Sequence, residues 1–378
     1  MTAPGVRCAL GPRLTGKWGR AAGVPETRPP PAAWHRGAPG IAVRLRTDAP
    51  ASDHRQDQGM PNPGYRPSAG DPLLILAMDH RESFGRTLFG VRDDRPDAAQ
   101  RAAMEAAKRL IYAGLARARG QLPGGRAGVL VDERYGQPVI EAARSDGVVL
   151  AVPVERSGRD WFELEWGQDW LGHVTGARPD YAKVLVRDNP AFPHGLREQQ
   201  LRALREVSDA LRGRGVPLLY ELLVPATSGQ LAAAGAKPET YDRDLRPGLV
   251  TRVIADNQAA GVEPAIWKVE GLDTADAARA VVDQIRADGR DHVDAIVLGR
   301  DAPAARLNHW LAVAAPIDGF VGFAIGRSIW EEPIAGYHQG NADREQAVAQ
   351  IAERYLGFAR RYCAASGAVV AGEPGPRA

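Results

Sequence analysis

The chain has 378 residues, 44% of them hydrophobic and 25% charged, enough to bury one large core and to carry additional segments. Its 48 Lys and Arg residues nearly balance its 46 Asp and Glu residues, which argues against a protein that holds nucleic acid by its phosphates. No run of about 18 apolar residues and no secretory leader occur, and Cys8 and Cys363 belong to no metal-ligand motif, so we expect a cytoplasmic protein without a membrane partner.

The first 70 residues are rich in Pro, Arg, Gly and Ala and show no sustained helix or strand periodicity. Such a composition cannot bury enough apolar surface to offset the entropy of ordering, so it predicts a disordered extension over residues 1–70. Met60 lies shortly before the first apolar segment, which suggests the hypothesis that translation starts there. We assign residues 71–365 to one folded domain and residues 366–378 to a disordered tail.

Eight short apolar segments follow, and their continuous apolarity is typical of parallel strands that are covered on both faces. They are residues 73–78, 128–131, 148–151, 181–186, 217–221, 265–269, 293–298 and 320–324. Apolar positions at spacings of three and four between these segments predict crossover helices. These helices are residues 98–118, 196–212, 245–260, 274–287 and 342–362.

Eight strand and helix units predict an α/β fold, a closed (β/α)8 TIM barrel. The alternative is a doubly wound open sheet, which also alternates strands and helices. It is disfavoured because no Gly-rich nucleotide-binding loop follows any of the predicted strands.

Polar residues stand at the C-terminal ends of the predicted strands, where barrels of this kind carry their catalytic groups. They are Asp79, His80 and Arg81 after the first strand, Asp132 after the second, Glu221 in the fifth, Gly299 and Arg300 after the seventh, and Gly326 and Arg327 after the eighth. Because all eight strand ends meet at one rim, we predict that these residues surround a single substrate site.

Two lysines lie inside apolar strands, Lys183 in the fourth and Lys268 in the sixth. A desolvated lysine beside another cation has a lowered pKa, and its free amine can attack a carbonyl, which arginine cannot do. The alternative is that each lysine merely pairs with a barrel carboxylate. Glu270, two residues beyond Lys268, would either orient the amine or be only an ion-pair partner.

Gly326 and Arg327 follow the last strand, where barrels often bind phosphate through main-chain N–H groups. Arg327 would add a charge-assisted contact, although an arginine on a solvated loop is the alternative. His80 has no partner at metal-ligand spacing, so a structural or substrate-contacting histidine is favoured. The residues therefore predict neither a bound metal nor a cofactor.

Five motifs occur in order at the predicted strand ends. They are Ala77-Met78-Asp79-His80-Arg81, Val131-Asp132-Glu133-Arg134-Tyr135-Gly136, Ala182-Lys183-Val184-Leu185-Val186, Tyr220-Glu221 and Trp267-Lys268-Val269-Glu270. Together they resemble two groups of class I (Schiff-base) sugar-phosphate aldolases. One is the tagatose-1,6-bisphosphate aldolases, and the other is the 2-deoxy-5-keto-D-gluconate-6-phosphate aldolase domain of inositol catabolism. The tagatose enzymes carry Gln where this chain has His80, which favours the second group.

The resemblance implies roles for the matching residues. Lys268 would form the Schiff base, Glu221 would be the acid/base carboxylate and Lys183 its cationic neighbour. Asp79 would assist catalysis, and Arg81 would contact substrate. The turn of Gly326 and Arg327 would bind phosphate, with His80, Asp132, Gly299 and Arg300 as further substrate-binding candidates.

The expected reaction is cleavage of 2-deoxy-5-keto-D-gluconate 6-phosphate into dihydroxyacetone phosphate and malonate semialdehyde. A tagatose bisphosphate or sulfo-sugar phosphate is the alternative substrate. Two other classes stay open: a metal-dependent barrel lyase with Asp79, Asp132 and Glu221 as oxygen ligands, and a sugar-phosphate-binding protein without catalysis. The expected partner is a small phosphorylated molecule, with a homo-oligomer as a possibility.

Overall fold

The computed structural model describes residues 65–300 and 302–367, and its centre is a closed barrel of eight parallel strands in sequence order. The strands are β1 (Leu73–Ala77), β2 (Arg126–Leu130), β3 (Val149–Pro153), β4 (Tyr181–Arg187), β5 (Leu218–Leu223), β6 (Ile266–Glu270), β7 (Asp294–Leu298) and β8 (Phe320–Ile325). The predicted α/β TIM barrel is therefore confirmed, and each predicted strand overlaps an observed one.

Helices surround the barrel. Within the described residues they are α1 (Glu82–Phe89), α2 (Ala98–Arg119), α3 (Glu133–Ser145), α4 (Trp170–Ala177), α5 (His194–Arg212), α6 (Ser228–Ala233), α7 (Pro238–Thr240), α8 (Arg246–Ala259), α9 (Ala275–Ile285), α10 (Ala304–Ala314), α11 (Arg327–His338) and α12 (Arg344–Ser366). Helices α2, α5, α8, α9 and α12 correspond to the five predicted ones. In α2 and α12, Asp97 and Asp343 begin the helix with a capping box, which satisfies main-chain N–H groups of the first turn.

The barrel has two apolar layers. The larger one packs the outward side chains of the strands against the helices. The smaller one fills the interior and includes Tyr181, Leu219 and Ile266. Side chains alternate along a strand, so Lys183, Glu221 and Lys268, two residues further on in each case, also point into the barrel. Alternation thus places these three polar side chains inside the barrel, one layer nearer its C-terminal end than the interior apolar layer.

A β-bulge interrupts the pairing of β8 with β7, where Ala295 pairs with Phe320 but Val297 pairs with Phe323. Gly322 occupies the bulge with φ of 146°, and a Cβ there would lie 1.9 Å from the main-chain oxygen of Leu73. Only glycine fits this position, which lies just before the strand end that leads to Gly326.

Residues 65–70 lie against the N-terminal end of the barrel. The Tyr65 hydroxyl donates to the Asp71 main-chain oxygen at 2.9 Å, and the Arg126 guanidinium lies 4.5 Å from the ring centroid. These six residues belong to the stretch that the sequence assigned to the extension. The rest of that stretch, including Met60, and residues 368–378 of the tail lie outside the described residues. No helix of the described part is both long and apolar enough to cross a membrane.

Candidate active site

A cavity of about 340 Å³ opens at the C-terminal end of the barrel. Ten of the eleven residues that the sequence proposed for the site line it, and Asp132 is the exception. The ten are Asp79, His80, Arg81, Lys183, Glu221, Lys268, Gly299, Arg300, Gly326 and Arg327. The strand ends thus bring together residues that are up to 248 positions apart in the sequence (327 − 79).

Lys183 lies at the centre of a carboxylate cluster. Its Nζ is 2.8 Å from Asp79 Oδ2, 2.9 Å from Glu155 Oε1 and 2.9 Å from Glu221 Oε2, and its side chain is fully buried. Burial alone would lower the pKa of Lys183, but the three carboxylates outweigh it and raise the pKa above its usual value. Lys183 is therefore a permanent ammonium ion and not a free amine.

Lys268 has a different environment, although it is also buried. Its Nζ lies 2.9 Å from Glu221 Oε1, the only ion pair that it makes within the described residues. Glu221 therefore bridges the two lysines, with one carboxylate oxygen on each. Lys268 thus has one carboxylate in direct contact, which is in position to accept a proton from it.

Two of the three carboxyl groups that face Lys183, those of Asp79 and Glu221, are held in the ionised form. Burial favours protonation of Asp79, but the ammonium of Lys183 outweighs it and lowers the pKa below its usual range. Burial likewise opposes ionisation of Glu221, and the charges of Lys183 and Lys268 lower its pKa. Both groups are therefore carboxylates at neutral pH and can accept a proton.

Glu155 is a site residue that sequence reasoning missed. Its Oε1 accepts hydrogen bonds from Lys183 at 2.9 Å and from Arg81 at 3.3 Å, and it lines the cavity. Its Oε2 is buried and has no hydrogen-bond partner among the described residues. Burial outweighs the nearby cations and raises the pKa of Glu155, so this carboxyl is the member of the cluster best suited to hold a proton.

Arg81 is buried behind the cluster. Its guanidinium lies 3.3 Å from Glu155 and 3.3 Å from Glu165, and only 3% of its side chain is exposed. Both carboxylates come from the segment between β3 and α4. Arg81, which the sequence predicted to contact substrate, thus already has two protein carboxylates as partners. It holds the segment between β3 and α4 against the C-terminal end of β1.

Asp132 does not have the predicted substrate-binding position. It is the N-cap of α3, where its side chain accepts from the Tyr135 N–H at 2.8 Å, and it is ion-paired with the buried Lys108. Lys108 also donates to the main-chain oxygens of Met78 and His80, at 2.7 and 3.2 Å. Asp132 therefore anchors the turn that carries Asp79. Since it lies outside the cavity, Asp79, Asp132 and Glu221 do not form the single ligand set proposed for a metal-dependent lyase.

Glu270 is the ion-pair partner of Arg300 and makes no contact with the Lys268 amine. The Arg300 Nε lies 2.8 Å from Glu270 Oε1, and the Glu270 Oε2 accepts from the Val224 N–H at 2.9 Å. A second carboxylate, that of Asp242, lies 2.6 Å from the Arg300 guanidinium. Arg300 thus lines the cavity and is already paired with two protein carboxylates, one of which, Asp242, also pairs with Arg246 and Arg306.

The turn after β8 combines a glycine with a helix start. A Cβ on Gly326 would lie 2.6 Å from the Ala77 main-chain oxygen, so a larger residue would push β8 away from β1. Arg327 begins α11, and the first residues of this helix, Arg327 and Ser328, line the cavity, at the helix end where main-chain N–H groups lack intrahelical partners. The turn therefore lies at the cavity, and its contact with a phosphate stays a prediction.

His80 lies between this turn and the carboxylate cluster. Its Nδ1 is 3.9 Å from Asp79 Oδ1, and its ring packs edge-on against Trp330, with centroids 5.5 Å apart. Burial, together with the charge of Arg327, outweighs Asp79 and lowers the pKa of His80 to about 4. His80 is therefore neutral at pH 7 and able to donate or accept a hydrogen bond.

Fold and cavity together define a class: a (β/α)8 barrel with a buried lysine and carboxylate cluster at its C-terminal end, an architecture compatible with enzyme activity. The chain belongs to the family described as "Uncharacterized protein conserved in bacteria (DUF2090)", whose model matches residues 50–364. No curated protein matches the sequence. Among solved structures, the Corynebacterium glutamicum protein Cgl0159 is similar at 17% identity and a TM-score of 0.47, over 76% of this chain and 85% of that one.

Proposed function

We propose that the protein is a class I aldolase that cleaves a phosphorylated keto sugar acid, 2-deoxy-5-keto-D-gluconate 6-phosphate, into dihydroxyacetone phosphate and malonate semialdehyde. One observation carries the proposal: Glu221 bridges Lys268 and Lys183 at 2.9 Å each in the floor of the cavity. An amine, an acid/base carboxylate and a fixed cation in contact are the groups that Schiff-base chemistry requires.

The nucleophile in this proposal is Lys268. Glu221 accepts a proton from the Lys268 ammonium, and the free amine attacks the ketone carbon of the substrate to form a carbinolamine. Loss of water then gives an iminium ion. Lys183 cannot take this role because three carboxylates stabilise its ammonium form. Its charge instead stabilises the Glu221 carboxylate between proton transfers.

The iminium ion accepts the electron pair of the breaking carbon–carbon bond. Asp79 or Glu221 removes the proton of the substrate hydroxyl, so that malonate semialdehyde leaves and an enamine of dihydroxyacetone phosphate stays on Lys268. Protonation of the enamine carbon restores the iminium ion, and water releases the ketone and regenerates the amine. Glu155, whose pKa is raised by burial, is the carboxyl group beside Lys183 best suited to supply that proton.

The phosphate is assigned to the turn of Gly326 and Arg327. The first N–H groups of α11 and the Arg327 guanidinium would donate to its oxygens. This turn follows β8, two strands from the Lys268 strand in the closed ring. The phosphate in the proposed substrate is one carbon from the ketone, so the reacting carbonyl and its phosphate fit neighbouring parts of the cavity.

The substrate assignment draws on the resemblance of the five motifs, and in particular on His80 between Asp79 and Arg81. A neutral His80 is suited to hydrogen-bond a substrate hydroxyl or carbonyl. Bisphosphate and sulfo-sugar phosphate substrates are distinguished from the keto acid by the group at the end remote from the first phosphate.

Reductive trapping tests the proposed mechanism. Borohydride added in the presence of dihydroxyacetone phosphate should convert the imine into a stable secondary amine, and peptide mapping should locate the added mass on Lys268. The label should persist after exhaustive chelation. Lys268→Arg should abolish labelling and turnover, whereas Lys183→Arg keeps the central charge and should retain some labelling. Added mass on Lys183 would instead make Lys183 the nucleophile and Lys268 the fixed cation. Activity that is lost to chelator, without any label on either lysine, would refute the Schiff-base mechanism.

A further inference from the structure

The cations of the cavity differ in how fully protein carboxylates already balance their charges. Arg81 pairs with Glu155 and Glu165, and Arg300 pairs with Glu270 and Asp242. From the sequence, both arginines are substrate-binding candidates. Each already has two carboxylate partners, with which a substrate anion would have to compete for the guanidinium.

Arg187 is different. It ends β4 and points inward like Lys183 and Leu185, because alternate residues share a face, and all three line the cavity. Its guanidinium donates to the Arg159 main-chain oxygen at 2.9 Å. Arg187 makes no ion pair with any carboxylate of the described residues, and its side chain is half-buried at the cavity mouth.

The register of the sheet locates Arg187 relative to the proposed nucleophile. Glu221 on β5 pairs with Lys268 on one side and with Leu185 on the other. Arg187 is two residues beyond Leu185 and thus about 7 Å nearer the mouth than the level of Lys268. In the closed ring, β4 and β8 are four strands apart in both directions, so Arg187 stands opposite the turn of Gly326 and Arg327 with Lys268 on a strand midway between them.

We propose that Arg187 is the specificity-determining residue that binds a carboxylate at the end of the substrate remote from its phosphate. This inference rests on the proposed function and deepens it: the substrate class is an open-chain keto sugar with a phosphate at one end and a carboxylate at the other. The main-chain contact with Arg159 orients the guanidinium and leaves most of its N–H groups for a planar, bidentate partner. A carboxylate matches that geometry.

The test compares the two ends of the substrate in the condensation direction. Arg187→Gln should raise the KM for malonate semialdehyde roughly ten- to a hundredfold, as expected for the loss of one charge-assisted contact. The dihydroxyacetone phosphate concentration that gives half-maximal borohydride labelling of Lys268 should stay unchanged. Arg187→Lys, which keeps the charge but not the planar fork, should give an intermediate KM.

Arg159→Gln is the matched control, because this side chain also lines the cavity but pairs with Glu163 at 3.3 Å, and its main-chain oxygen survives the change. Unchanged KM in both Arg187 variants would overturn the inference, as would wild-type protein that is labelled but condenses with no anionic aldehyde. Preference for glyceraldehyde 3-phosphate over malonate semialdehyde would overturn the carboxylate assignment. Wild-type protein that is not labelled at all would instead refute the Schiff-base proposal.

Discussion

Glu221 Oε1 lies 2.9 Å from the Nζ of Lys268, and both groups are buried in the floor of the barrel mouth. The contact joins β5 to β6, on which these two residues are direct register partners. A proton can therefore pass between the carboxylate and the amine without rearrangement of the main chain.

Glu221→Gln should separate binding from proton transfer. The amide keeps the size of the side chain and an oxygen acceptor but cannot take the Lys268 proton, so kcat should fall roughly 10²- to 10⁴-fold. Borohydride labelling of Lys268 should become slower, and the KM should change little. Steady-state kinetics and timed labelling measure both effects. A Gln variant with wild-type kcat would remove Glu221 from the mechanism.

Lys183→Met should leave three carboxylates without their shared cation. Removing one partner of a buried ion pair costs about 3–5 kcal/mol, so the free energy of unfolding should fall by that order at pH 7. The pKa values of Asp79 and Glu221 are lowered in the folded protein, so their contribution is present at neutral pH and is lost as the pH falls below their ordinary values near ~4.

In Lys183→Met, burial without the cation raises the pKa of the freed carboxyls, so they take up protons above pH 4 and the stability difference from wild type should shrink between pH 7 and pH 4. Urea unfolding at several pH values measures it. The exposed Lys237 offers the control Lys237→Met, which should lack this pH dependence. A Lys183→Met protein as stable as the control at pH 7 would contradict the assigned cluster.

Glu155→Gln should alter the pH profile more than the fold. The raised pKa of Glu155 means that its acid form persists to higher pH than usual and is lost as the pH rises. If that proton serves catalysis, wild-type kcat should decline on the alkaline side. The Gln variant should have a lower kcat without this decline, because an amide does not titrate in that range. Identical profile shapes for the two proteins would assign Glu155 to positioning Arg81 alone.

Arg327→Ala should weaken binding at the phosphate end. Loss of one charge-assisted contact costs roughly 1.5–3 kcal/mol, so the KM for a phosphorylated substrate should rise far more than saturated activity falls. The concentration of dihydroxyacetone phosphate for half-maximal labelling should rise equally. Equal KM and kcat for the variant and the wild type would show that the phosphate does not bind at Arg327.

The inward positions of Lys183, Glu221 and Lys268 could be predicted because alternation along a strand is a local property. Lys183, Glu221 and Lys268 are each surrounded by apolar neighbours, and a polar residue in such a strand must point into the barrel or lose its solvation without compensation. Glu155 was not predicted because the third apolar segment ends at residue 151 in the sequence. In the structure β3 extends to Pro153, and alternation from Pro153 places the Glu155 side chain on the inward face as well.

The partners of the arginines could not be predicted from the sequence. Arg300 pairs with Asp242, 58 residues away, and Arg81 pairs with Glu165, 84 residues away. Nothing local distinguishes these arginines from Arg187, and only the closed barrel shows which cations have carboxylate partners. For Asp132 a local signal did exist, since an aspartate between a strand and a helix is a typical N-cap.

Asp132→Asn distinguishes this structural role from the predicted substrate contact. The amide oxygen can still accept from the Tyr135 N–H, but the buried Lys108 loses its only carboxylate partner within the described residues. We expect the free energy of unfolding to fall by about 3–5 kcal/mol. At a temperature where the variant stays folded, half-maximal labelling by dihydroxyacetone phosphate should need the wild-type concentration.

Asp97→Asn is the control, because it changes the N-cap of α2 without a buried lysine beside it. It should lower the free energy of unfolding by only about 1 kcal/mol or less. A large rise in the labelling concentration for Asp132→Asn, with little loss of stability, would return Asp132 to the substrate site.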